Sequence, residues 1–399
     1  MRNKNIVIIF FMFIIYAYVV NIINIPKNYV VSNIEDYDIF CMPGIKRELV
    51  VETSNNLDES VNKNISNIKY EYSIFGIKNI KETIVTKIED IKVVPIGKLI
   101  GLRLYTNGVL VVGKASIENI NNEFEDQKEI IEGDTILKIE DKYIDSIEEI
   151  EELVSSSDGN VLECTVLRNG KSIITKVNPI EVDVNEYKLG LWVKDAATGV
   201  GTISFINKDN NAFVALGHGV TDNDTGKILD IDTGEILLSD FVSITKGEIG
   251  IPGEIKGSII NKKEIGKINK NTSFGIVGDI TDISDLKIDL NNEYDILPRN
   301  KIKEGKAIIL CELDDGIEEY EINIKKIYLD NNFDNKSMVI EITDDVLLEK
   351  TGGIIRGMSG SPIIQDDKMV GIVTNVLISN PKVGYGVFMD LVLNMMEEK

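Results

Sequence analysis

Histidine is nearly absent from this sequence: 399 residues contain one, His218, beside three cysteines, eight prolines and a single tryptophan. A structural zinc site needs four converging nitrogen or sulfur ligands. Cys41, Cys164 and Cys311 lie far apart with no C-x-x-C spacing, so the sequence offers neither a metal site nor a disulfide framework. Cations are also scarce: 43 Lys and Arg stand against 65 Asp and Glu, a formal charge of -22 that repels a phosphate backbone and argues against a nucleic-acid partner. What remains is ordinary for a globular protein, 43% hydrophobic and 27% charged residues, in a chain long enough for two or three domains.

One long apolar run opens the chain. Arg2 and Lys4 precede "IVIIFFMFIIYAYVV" (6–20), and with the following "NIINI" the uncharged stretch reaches about 20 residues, the length a bilayer requires. No small-x-small cleavage site ends it, so residues 1–26 read as an uncleaved signal anchor with the bulk of the chain outside the cytoplasm. Residues 27–69, rich in Asn, Glu and Lys without periodicity, read as a polar linker, and short β-like runs over 70–94 read as a small β segment.

Residues 95–182 carry a denser set of signals. Gly133-Asp134 turns into "TILKI", Ser146 and Glu149 form a capping box before "IEEIEELV", and Arg168-Asn169-Gly170 suits a type I′ hairpin between alternating strands. A G-D-x-I-x-x-I strand followed by a helix and a final hairpin resembles a PDZ domain. By that resemblance Ile100, Gly101 and Leu102 would form the loop and strand that receive a peptide tail by strand addition. From 183 to 399 the chain turns to short strands with Gly, Asn and Asp between them, the pattern of an all-β sandwich or a pair of barrels.

Two motifs in that region carry chemistry. Serine needs an adjacent base at neutral pH, and the base can only be His218 in "ALGHGV". In "GMSGSP" the N–H of Gly357 can stand beside that of Ser359 to make an oxyanion hole for a Ser359 nucleophile. Asp366-Asp367 then turns the hairpin that follows, and Trp192 is expected in the core.

"ALGHGV", "KTGGIIRGMSGSPIIQ" and "VGYGVFMD", preceded by a PDZ-like unit and an anchor, resemble the SpoIVB peptidase family of spore-forming bacteria, and G-M-S-G-S-P parallels the nucleophile loop of chymotrypsin-like proteases. The resemblance implies a mainly β protein with a chymotrypsin-like double β-barrel behind the PDZ-like α+β domain. It implies Ser359 as nucleophile, His218 as general base and Asp344 as orienting acid; Asp345 and, by the chymotrypsin spacing, Asp240 remain alternatives. It further implies a serine endopeptidase without cofactor that cleaves itself and acts on a regulatory membrane protein of late sigma-factor processing, from the forespore membrane. An HtrA-type envelope protease and a PDZ adaptor with an inactive protease-like domain are the other readings. The HtrA order is opposed by a PDZ-like unit that comes first.

Overall fold

The computed structural model describes residues 2–397 apart from 32–34, 36, 51–64, 89–90, 223, 285, 287, 315 and 330–334. It opens with helix α1 (Arg2–Ile23), whose side chains from Val7 to Phe13 are exposed. No helix among the described residues is long and apolar enough to cross a membrane. At the far end of α1, Tyr18 donates to Pro43 O and Asn21 holds Met42 N and Phe40 O, seating the helix on a small sheet.

That sheet corrects the expected linker. β1 (Asn28–Val31), β2 (Ile45–Val50), β3 (Ile65–Ile74) and β4 (Ile77–Ile88) assemble in the order β1-β4-β3-β2, with β1 parallel to β4. Aromatic packing supplies what the polar sequence concealed: Tyr37 stacks on Tyr70, and the Arg47 guanidinium lies over both rings. The most polar part of the expected linker, 51–64, lies outside the described residues.

Next comes a single long strand, β5 (Lys92–Lys114), then short β6 (Ile117–Glu118) and β7 (Phe124–Glu125), β8 (Thr135–Ile139), β9 (Lys142–Tyr143) and helix α2 (Ile147–Ser155). β10 (Leu162–Arg168) and β11 (Lys171–Val177) form the hairpin read from Asn169-Gly170, both of which take positive φ. β12 (Ile180–Asp183) and β13 (Glu186–Lys188) lead into a second long strand, β14 (Leu191–Asn207). Ser146 caps α2 through Glu149 N, while the Glu149 carboxylate reaches Asp145 N. A core of Val109, Val111, Ile136, Ile139, Cys164 and Val166 fills this α+β unit.

The remaining strands are β15 (Ala212–Ala215), β16 (Ile231–Thr245), β17 (Glu254–Thr272), β18 (Gly275–Ile280), β19 (Tyr294–Ile296), β20 (Gly305–Leu313), β21 (Gly316–Ile327), β22 (Met338–Ile342), β23 (Pro362–Gln365), β24 (Lys368–Val376) and β25 (Val383–Phe388). Helix α3 (Asp345–Thr351) precedes β23, and α4 (Met389–Glu397) follows β25. They close two antiparallel barrels. The first runs β5-β14-β15-β18-β17-β16 and back to β5. The second runs β20-β21-β22-β25-β24-β23 and back to β20. Among the described residues each strand of either barrel has a neighbour on both sides, so closure leaves no free edge.

β5 belongs to both the first barrel and the α+β unit. Its first half pairs with β14 and β16, and its second half pairs with β14 and β8. The α+β unit is therefore an insertion between two barrel strands rather than a bead before the barrels. This overturns the expected peptide loop. Ile100 and Leu102 are buried, and Ile100, Gly101 and Leu102 face Gly201, Val200 and Gly199 of β14 on one side and Leu238, Leu237 and Ile236 of β16 on the other. Both edges of the strand are already hydrogen-bonded, so a peptide cannot add there. Trp192 is likewise not core: it sits on β14 at 65% exposure.

Candidate active site

Each barrel contributes one half of the site. β15 ends at Ala215, and the next residues carry His218; the nucleophile loop follows α3 and precedes β23. The two meet because Gly217 has no side chain: a Cβ there would lie 2.3 Å from Val373 O, so only glycine lets the histidine loop press against β24. Across this contact the Gly217 N–H donates to Ser359 Oγ at 3.1 Å. His218 and Ser359 both line one cleft of about 900 Å³.

The histidine is held in a useful tautomer. Its Nδ1 lies 3.0 Å from Gly219 O. A carbonyl can only accept, so Nδ1 carries a proton, and in the neutral ring this leaves the lone pair that a general base requires on Nε2.

The N–H groups of Gly357 and Ser359, expected as oxyanion donors, have no acceptor among the described residues. Around the loop, Arg356 N donates to Gly253 O, Met358 N to Ile355 O, Gly360 N to Val373 O and Ser361 N to Met358 O. The peptide that bears the Gly357 N–H is fixed by its own carbonyl, since Arg356 O accepts from Ile255 N at 2.8 Å. Gly357 takes φ +98, a conformation that costs other residues strain. Sequence reading missed Thr202. This buried residue on β14 donates through Oγ1 to Gly357 O at 2.5 Å, and its own carbonyl accepts from Leu216 N at 3.0 Å, so it ties the nucleophile loop to the histidine strand. No motif marks it, because the bond spans more than a hundred residues.

The orienting acid is where expectation and structure part. Asp344 Oδ1 accepts from Leu347 N at 2.9 Å and Oδ2 from Glu321 N at 3.4 Å: the carboxylate caps α3 and ties it to β21. Asp345 is the first residue of that helix, and Asp240 is an exposed residue of β16 opposite Ser258. None of the three hydrogen-bonds to His218 among the described residues, and the acceptor at Nδ1 is the Gly219 carbonyl.

The loop after His218 is tethered to the inserted unit. Lys194 on β14 pairs with Asp222 at 3.0 Å and also with Asp224, and the neighbouring Asp195 accepts from Ile147 N at the start of α2. Burial would raise the Asp222 pKa, but the Thr225 backbone N–H and Lys194 outweigh it and hold the carboxyl below the usual range. Hydrogen bonds to Asp224 and Asp222 raise the pKa of Lys194.

The SpoIVB peptidase S55 family model matches residues 185–393. Among solved structures, the serine endoprotease from Yersinia pestis is similar at 13% identity over 50% of this chain and 56% of that one, with a TM-score of 0.28. The HtrA-type protease AlgW with decapeptide is similar at 9% identity over 76% of this chain and 64% of that one, with a TM-score of 0.32. The chain thus spans less than two thirds of the length of both. No curated protein matches it.

Proposed function

The chain belongs to the SpoIVB peptidase S55 family, and from that premise we propose that it is a serine endopeptidase with Ser359 as nucleophile. The observation that carries the reading is the convergence of Ser359, His218 and the two free N–H groups in one cleft. Ser359 Oγ attacks the peptide carbonyl while His218 Nε2 takes its proton. The oxyanion that forms is met by the N–H groups of Gly357 and Ser359. Collapse of the adduct breaks the C–N bond, and the leaving amine takes the proton from Nε2. Water, deprotonated by the same nitrogen, then hydrolyses the acyl-enzyme and restores Ser359.

The finer role follows from the family. We take α1, which at about 1.5 Å per residue reaches roughly 33 Å, as a signal anchor in the forespore membrane, with the barrels between forespore and mother cell; its described side chains begin only at Val7. The inserted α+β unit acts as a PDZ-like module that holds a peptide tail, at a place other than the closed strand at Ile100–Leu102. The enzyme cleaves itself in its N-terminal part and then cuts a regulatory membrane protein that controls late sigma-factor processing. Expression of the chain and its Ser359→Ala variant tests this, with self-cleavage followed by mass. Fragmentation of the parent with an intact variant supports the reading; identical behaviour of the two contradicts it.

A further inference from the structure

The wall of the cleft does not stop at its mouth. From Ser359 it follows β24 through Thr374, Asn375 and Val376 to Ile378, which lines the cleft and is 53% exposed. There the turn between β16 and β17 crosses it: Gly250 N donates to Ile378 O at 3.0 Å, and Glu248 N bonds to Ile251 O to close the turn. The residues on either side of Gly250 are Ile249, 79% exposed, and Ile251, 59% exposed, and Pro252 beyond them lines the cleft again. Three isoleucines therefore gather around a single hydrogen bond at one end of the site.

Isoleucine at the tip of a tight turn is out of place. Turns select Gly, Asn, Asp and Ser, and an aliphatic side chain left in water there gains nothing for folding. The turn is also rigid, since Gly247 N bonds to Thr351 O just ahead of the nucleophile loop. An apolar shelf fixed to the nucleophile loop and continuous with the catalytic cleft is suited to a chain that already lies in that cleft.

We propose that Ile249, Ile251 and Ile378 form a substrate-binding shelf that selects polypeptides carrying aliphatic residues a few positions from the scissile bond. This rests on the peptidase reading of the same cleft. An apolar contact made equally in the ground state and the transition state acts on substrate binding and leaves kcat unchanged. Continuity with the cleft favours a peptide over a lipid surface as occupant.

The test uses the full chain in the Ser359→Ala background, so that binding is read without turnover. Two fluorescein-labelled peptides share a central sequence; Val, Ile and Leu flank it in one, Ser and Asn in the other. The aliphatic peptide binds more tightly, and the combined Ile249→Ser, Ile251→Ser, Ile378→Ser change weakens it by about tenfold without affecting the other peptide. Ile378→Ser alone gives a smaller change in the same direction. With Ser359 restored, the combined variant shows a raised KM for the aliphatic peptide and an unchanged kcat. Equal affinity for the two peptides, or no response to the substitutions, overturns the proposal. So does binding of monomeric short-chain phosphatidylglycerol that the combined variant loses while peptide affinity holds, which assigns the shelf to lipid. Failure of the parent chain to react with a fluorophosphonate would sink the peptidase reading instead, and the binding comparison would still decide the shelf.

Discussion

The two barrels close in the same way but are assembled differently. The second is contiguous: β20 to β25 follow one another in the sequence, with α3 and the Ser359 loop between β22 and β23. The first borrows β5 from before the inserted unit, so that Ile100 pairs with Gly201 and the whole α+β unit lies between them in sequence. The proposed site divides along the same line, with His218 on the discontinuous barrel and Ser359 on the contiguous one. The lesson is mechanical: whatever moves the inserted unit pulls on strands that also carry Thr202 and lead to His218, and it reaches the Ser359 loop of the second barrel through the Thr202–Gly357 and Gly217–Ser359 bonds.

Ser359→Ala removes the nucleophile, and peptide hydrolysis is expected to fall by roughly a millionfold, while unfolding shifts by no more than the lost Gly217 N–H bond, about 1 kcal/mol. Next in size, Ile100→Ala on the borrowed strand opens a cavity in the first barrel and costs about 2–5 kcal/mol, as does Ile309→Ala in the second. Their kinetics separate the barrels. Because β5 must find β14 across the inserted unit, pulsed hydrogen exchange during refolding should protect β20–β25 before β5 and β14. Simultaneous protection would break the comparison.

Thr202→Val keeps the shape and removes the donor to Gly357 O. Losing one such bond costs about 1 kcal/mol, so kcat should drop by about fivefold with KM held, and Thr202→Ser should restore it; a loss that Ser does not rescue would reduce Thr202 to packing. Asp344→Ala removes the α3 cap and should lower stability by about 1 kcal/mol, measured by denaturant unfolding. Asp344→Asn, which can also cap, should restore that stability. Activity that fails to return with it belongs to the carboxylate itself.

The smallest effect tests the tether. Asp222 has a depressed pKa, so its contribution to stability is present above the unfolded carboxylate value and is lost as pH falls through the lower folded value. Lys194, with a raised pKa, contributes below its unfolded value and loses that contribution only as pH rises through its folded value, in strong alkali. Lys194 is more than a third exposed, so Lys194→Met should cost no more than about 1 kcal/mol at neutral pH. The difference from the parent should vanish in acid. A difference that persists there would mean that Lys194 acts through packing.

Local chemistry was legible in the sequence. Asn169-Gly170 and Asp366-Asp367 turn their hairpins with positive φ, Ser146 caps its helix, and the glycines around Ser359 leave two N–H groups free. What spacing could not reveal was long-range pairing. "LIGLRL" alternates as any strand does, and nothing in it says that both edges are taken by strands some hundred residues on. In the first sheet, β4 and half of β3 fall within the β segment read at 70–94, whereas β1 and β2 were hidden because their polar surroundings read as linker while their order comes from Tyr37, Tyr70, Tyr72 and Arg47 meeting in space. Asp344 matched a motif position, yet a carboxylate just ahead of a helix has a capping role available that sequence alone weighs no differently from catalysis.

The central claim is that Ser359 and His218 form one reactive site across the two barrels. Reaction of the full chain with a fluorophosphonate, with the modified peptide located by mass, tests it most directly. A single adduct on Ser359 is expected, lost in Ser359→Ala and slowed by orders of magnitude in His218→Gln with the fold intact. An adduct on another serine, or labelling of Ser359 that does not depend on His218, would contradict it.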